Sequence, residues 1–269
     1  MAEQTVNAAT NSNKANELAA QALSEPQEVA PATITSPANV LVTLPGGMLS
    51  AGEVIKIAEV RELNGRDEEA IARTTNPGRM FATIINRAVV SLGEQKPTED
   101  LLDRLLVGDR DAILIGIYRA TFGNTSEQAT YCDGCKDYKT VSIDVVADIK
   151  QKVLVDPQTE LSFTVKGKSH EYLVTLPNGL TQKKLLSDPD MNVAESMTTL
   201  LEQTVLEIDG KPVYSKSQIQ AMSLTDRRII AEEISNRNPG PLFDPIKVTC
   251  PDCDSEVEVP ISLGSMFRL

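Results

Sequence analysis

None of the 269 residues is tryptophan and only 4% are aromatic, so the usual stacking platforms for bases and sugars are scarce. His170 is the sole histidine, which leaves general acid–base chemistry near neutral pH thinly supplied. Cations are outnumbered, with 26 Lys and Arg against 38 Asp and Glu. The net charge of −12, with no basic stripe, argues against a general binder of nucleic acid or anionic membranes. No apolar run approaches the roughly 18 to 20 residues that span a bilayer. The N-terminus also lacks the basic-then-apolar layout of a secretory signal, so the expectation is a chain that stays in the cytoplasm where it is made.

Cysteine is nearly absent too: there are four, and they fall in two pairs. "TYCDGCKDYKTVSIDV" (130–145) and "VTCPDCDSEVEVPISL" (248–263) each carry a Cys-x-x-Cys turn followed by alternating apolar residues. In a reducing compartment such short-spaced pairs point to metal ligands rather than structural disulfides. One turn aims two thiolates at one ion and supplies about half of a tetrahedral zinc shell; two turns complete it. Cys132, Cys135, Cys250 and Cys253 are therefore the candidate ligands of one structural zinc, with free thiols as the alternative. Four cysteines leave no open coordination position, which argues against a catalytic zinc. A thioredoxin-like motif opens a helix, whereas strands are expected after both pairs here. The tails predict them: Val141, Ile143 and Val145, and then Val259, Ile261 and Leu263, recur with period two.

What is present in quantity is hydrophobic material, 41% of the chain, enough for a real core. Residues 1–36 are the exception, rich in Ala, Asn, Gln, Glu, Ser and Thr, and are expected to be a disordered tail. Within it "NKANELAAQALSE" (13–25) has some helical character. Beyond the tail the two halves echo each other. "LVTLPGGM" (41–48) returns as "LVTLPNGL" (173–180), "FATIINRAVVSL" (81–92) aligns with "MTTLLEQTVLEI" (197–208), and Lys-Pro recurs at 96–97 and 211–212. Asp109 and Arg110 match Asp226 and Arg227; Arg110 precedes Cys132 by 22 residues, and Arg227 precedes Cys250 by 23. Matches in one order, ending in one cysteine spacing, predict a tandem duplication.

The expected fold class is thus α+β: tandem-duplicated helix–knuckle–strand units joined by one zinc-ribbon-like four-cysteine site. The first unit covers 37–150, a connecting hairpin region 151–171, and the second unit 172–269. Helix starts are expected at Asn192 with Glu195, Ser215 with Gln218 and Ser223 with Asp226, and a hairpin over 161–177. The acids after Asn64 and Gly65, at 67–69, read as a solvated helix start. Gly167, Lys168 and Ser169 do not make a phosphate loop, because Ser162 stands where the required glycine would be. No catalytic or cofactor-binding residue emerges, and the chain reads as not an enzyme.

"VRELNGRDEEAIAR" (60–73), then "LLVGDRDAILIGIYRATFG" (105–123), then a Cys-x-x-Cys knuckle with an alternating strand, resembles the small baseplate hub proteins of T4-like contractile-tailed bacteriophages. The resemblance runs from about residue 40 to the C-terminus. It implies a non-catalytic structural or assembly subunit of the virion tail baseplate, put together in the host cytoplasm and oligomeric in the assembly. Other hub, tail-tube or tape-measure proteins would be its partners, with no nucleic acid and no membrane span. A zinc-ribbon adaptor in transcription or RNA metabolism is the alternative, and an enzyme with an unrecognised site a third.

Overall fold

The computed structural model describes residues 38–267 apart from 51, 75 and 189, together with positions 13, 16, 17 and 20. Those four positions are helical; the rest of the tail expected over 1–36 lies outside the described residues.

The N-terminal half opens with a hairpin of β1 (Val40–Ser50) and β2 (Glu53–Val60). A short helix α1 (Gly65–Ala72) follows, then α2 (Pro77–Ala88), which runs straight into β3 (Val89–Leu92). β3 returns to pair with β2, giving an antiparallel sheet in the order β1-β2-β3. The chain then enters α3 (Glu99–Arg104) and the long α4 (Val107–Phe122), and ends in a hairpin of β4 (Thr125–Cys132) and β5 (Asp137–Asp144) that carries the first cysteine pair.

After β6 (Gln151–Lys152) and α5 (Pro157–Glu160) the same order of elements recurs. β7 (Ser162–Lys166) and β8 (Glu171–Thr175) form a hairpin. They are followed by α6 (Gly179–Leu185), α7 (Val193–Thr204) running into β9 (Val205–Ile208), β10 (Lys211–Pro212), α8 (Lys216–Gln220) and α9 (Leu224–Arg237). β11 (Gly240–Pro241) pairs with β6, and β12 (Ile246–Thr249) with β13 (Glu256–Val259) makes the second cysteine hairpin before a last helix α10 (Leu263–Phe267). The hairpin expected over 161–177 is therefore not a connector. It supplies two strands of the sheet β10-β9-β8-β7.

The correspondence extends to register. In the first sheet Ala58, Glu59 and Val60 face Leu92, Ser91 and Val89, with a bulge before Val60. In the second, Tyr172, Leu173 and Val174 face Ile208, Glu207 and Val205, with a bulge before Val174. Because side chains alternate with period two, a bulge at one place in both sheets keeps the same faces inward. Helix starts match as well: Asn64 and Asn178 cap α1 and α6, Asn76 and Asn192 cap α2 and α7, and Thr98 and Ser215 open α3 and α8. "LVTLPNGL" (173–180) thus stands where the first half has "EVRELNGR" (59–66), not "LVTLPGGM" (41–48). The latter lies in β1, where Gly47 adopts φ 72° at an irregularity.

Each half has its own apolar core, one built around Ile84, Ile85, Ile113 and Ile117 and the other around Tyr172, Leu201, Ile219 and Ile230. A third core joins the cysteine hairpins to α4 and α10, packing Val141, Ile143 and Val145 with Val259, Ile261 and Met266. The strand expected to reach Leu263 stops at Val259. Pro260 has no N–H for a ladder, and Leu263 begins a helix whose Phe267 stacks edge-on against Phe81 and Tyr118. Asp67 also departs from expectation: it is 1% exposed and ion-paired with Arg61 and Arg87, so it is a buried anchor of α1 rather than a solvated start.

Candidate metal centre

Both cysteine turns are built alike. Lys136 N–H donates to the Cys132 carbonyl at 2.8 Å, and Asp254 N–H to the Cys250 carbonyl at 3.1 Å. The residue after each pair takes a left-handed conformation, φ 58° at Lys136 and 57° at Asp254, which Asp tolerates better than most residues. This turn brings the two thiols of each pair to the same side. Thr130 Oγ1 donates to the Glu258 carbonyl at 3.0 Å, binding β4 to β13 and setting one hairpin against the other.

The result is a cluster of all four sequence-predicted ligands. Sγ of Cys132 lies 3.5 Å from that of Cys253, Sγ of Cys135 lies 3.8 Å from that of Cys250, and all four lie within 4.8 Å of one another. A tetrahedral zinc with bonds of about 2.3 Å to sulfur has sulfur–sulfur edges of about 3.8 Å, so the spacing fits such an ion. Cys132 and Cys250 are buried, Cys135 is half-buried and Cys253 exposed, with Val248 and Val257 packed beneath.

The surroundings favour thiolates unequally. The Ser255 hydroxyl and backbone N–H hold Cys253 below the usual thiol range. Cys135 is pushed up, first by sharing its proton with Cys253 and then by burial. Four thiols this close cannot all ionise without a cation among them. Lys139 crosses from β5 to pair with Asp252 of the second turn at 2.8 Å, adding an electrostatic tie between the hairpins. Gly134 completes the fit, since a Cβ there would lie 2.5 Å from Ser255 Oγ and 2.8 Å from Cys253 Sγ.

No family model, curated protein or solved structure matches this chain.

The Asp–Arg pairs sit elsewhere, inside the two cores. Asp109 accepts from Gly46 N–H and Asp226 from Lys168 N–H, each at 2.6 Å, so each carboxylate ties its long helix to its own hairpin. Arg110 donates to the Leu102 carbonyl and Arg227 to the Ile219 carbonyl, each in the preceding short helix. Arg110 also donates to Gln182 Oε1 and Arg227 to the Thr198 hydroxyl, so neither arginine closes on a carboxylate. His170 is half-exposed in the β7–β8 turn, 2.6 Å from Asp209. Sequence reasoning missed Gly134, Ser255 and Lys139. Only Gly134 carried a signal, as the small residue inside the first turn.

Proposed function

We propose that the chain is a non-catalytic structural or assembly subunit of a phage tail baseplate hub, made of two tandem copies of one unit and clamped by a single zinc in a zinc-ribbon-like site. One observation carries the clamp: two cysteine turns, over a hundred residues apart in sequence, bring four sulfurs within 4.8 Å of one another. Closing so long a loop through a metal makes binding free energy part of folding free energy. Bound there, the ion would supply a cross-link between Cys132 and Cys135 of one half and Cys250 and Cys253 of the other. The donor set is closed and leaves no position for a substrate. Support for the duplication is the shared element order, bulge register, asparagine caps and Asp–Arg contacts.

The placement in a phage tail rests on the order of motifs from "VRELNGRDEEAIAR" through "GDRDAILIGIYRATFG" to the first cysteine turn. Partners on this reading are other hub, tail-tube or tape-measure proteins. Deleting the gene in its phage and imaging the lysate tests the assignment: free heads with absent or incomplete tails are expected. Normal yields of infectious particles with complete baseplates would defeat it. Copurification of the chain with an RNA polymerase or nucleic acid would favour the adaptor role instead.

A further inference from the structure

Helix α6 of the C-terminal half seats on α2, α3 and α4 of the N-terminal half. Val107 N–H donates to the Pro177 carbonyl at 3.1 Å and Gly179 N–H to the Leu105 carbonyl at 3.0 Å. Lys183 pairs with Glu99 at 2.6 Å, and Leu186 packs onto Gly78. Aligning the halves by their helix caps puts Leu224 where Val107 stands, Met222 at Leu105, Lys216 at Glu99 and Ala194 at Gly78. Among the described residues this face of the C-terminal half has no such cover. Leu224 is 73% exposed, and among the described residues nothing accepts from its N–H or donates to the Met222 carbonyl. An open cavity of about 500 Å³ adjoins Met222 and Ser223.

The counterpart of α6 is α1, and among the described residues its outer face is equally open. Gly65 and Glu69 are exposed, and Gly65 N–H has no backbone partner among the described residues. We propose that the chain associates head to tail with a second copy of itself, α1 of one copy seating on the α7–α8–α9 face of the next as α6 seats on α2, α3 and α4 within the chain. This rests on the reading that the halves are copies of one unit. The side chains support it. Where the internal contact sets Lys183 against Glu99 and Asp103, the external one sets Glu69 against Lys216 and the neutral Gln220, so one of the two ion pairs is kept with its charges exchanged. Where Leu186 meets Gly78, Ala72 would meet Ala194, a trade of one large and one absent side chain for two small ones. Leu224 N–H would donate to the Leu63 carbonyl, and Gly65 N–H to the Met222 carbonyl.

Such an interface is heterologous, so association continues beyond a dimer unless the rotation closes a ring. It lacks the shared cysteine site and is weaker than the internal contact. Sedimentation velocity on the full chain, purified with zinc, should show oligomers that grow with concentration. Glu69→Lys and Lys216→Glu lie on exposed positions and should each weaken association about tenfold, while the double variant restores it. Hydrogen exchange separates the two layers of the argument. Val107 N–H should be protected at every concentration and Leu224 N–H only in the associated protein. A monomer up to about 1 mM, single reversals without effect, or a double variant no better than the singles would overturn the proposal. A fast-exchanging Val107 amide would instead count against the internal contact and the repeat from which the proposal is built.

Discussion

Asp109 and Asp226 hold the same place in the two halves, yet their surroundings pull them in opposite directions. Both oxygens of Asp226 are partnered, by Lys168 N–H and the Tyr172 hydroxyl, and the carboxyl is held below its usual range, chiefly by the Lys168 amide. Oδ2 of Asp109 is buried without a partner among the described residues, and burial raises its pKa to about 6. A raised acid pKa means that the folded state binds the proton more tightly than the unfolded one. Its contribution to stability is present below about pH 4 and is lost as pH rises to about 6, roughly 3 kcal/mol in all. Asp109→Asn should remove that slope. Urea unfolding of both proteins between pH 4 and 8 should show a wild-type disadvantage that opens through this window and is flat above it; a constant difference would contradict the assignment. The Asp–Arg repeat was legible in the sequence. Its role was not, because the hairpin amides it holds lie 63 and 58 residues away.

At the scale of elements, local rules were legible at some helix starts, while the caps at Asn76, Thr98 and Asn178 were not foreseen. Asn192 with Glu195 and Ser215 with Gln218 cap as expected, through the Asn192 carboxamide and the Gln218 side chain. The strand pairing was misaligned because "LVTLP" recurs literally while the corresponding pieces share little beyond Asn-Gly. Residues 59–66 and 173–180 are matched by the shared asparagine cap and by the bulge, and the bulge has no side-chain signature. Asn178→Ala should cost about 1 kcal/mol through loss of the α6 cap, measurable by chemical denaturation. Gly108→Ala should cost more, roughly 3 kcal/mol, since a Cβ there would overlap the Pro239 carbonyl oxygen, a backbone atom that cannot swing aside. A Gly108→Ala variant as stable as the wild type would mean that α4 does not approach β11 as described.

Across the whole molecule two cores follow the two halves, with Leu106 of the first half packed into the second core and Phe267 against the first, while the third depends on the cysteine hairpins meeting. That division was foreseeable in outline from cysteine spacing and alternating tails. The place of α10 was not, because it follows from Phe267 packing against residues of both α2 and α4. Chelation should therefore loosen the third core first, exposing Val141, Ile143, Val259 and Ile261 to an apolar dye while the two sheets persist; simultaneous loss of all secondary structure would refute independent cores. Cys250→Ser should reproduce the chelated state and lower solubility. The most direct measurement is X-ray absorption at the zinc edge, with elemental analysis, on the purified full chain. One zinc per chain with four sulfur ligands at about 2.3 Å is the expected result. A protein without metal and with four freely titrating thiols, or a zinc bound by nitrogen or oxygen, would contradict the clamp.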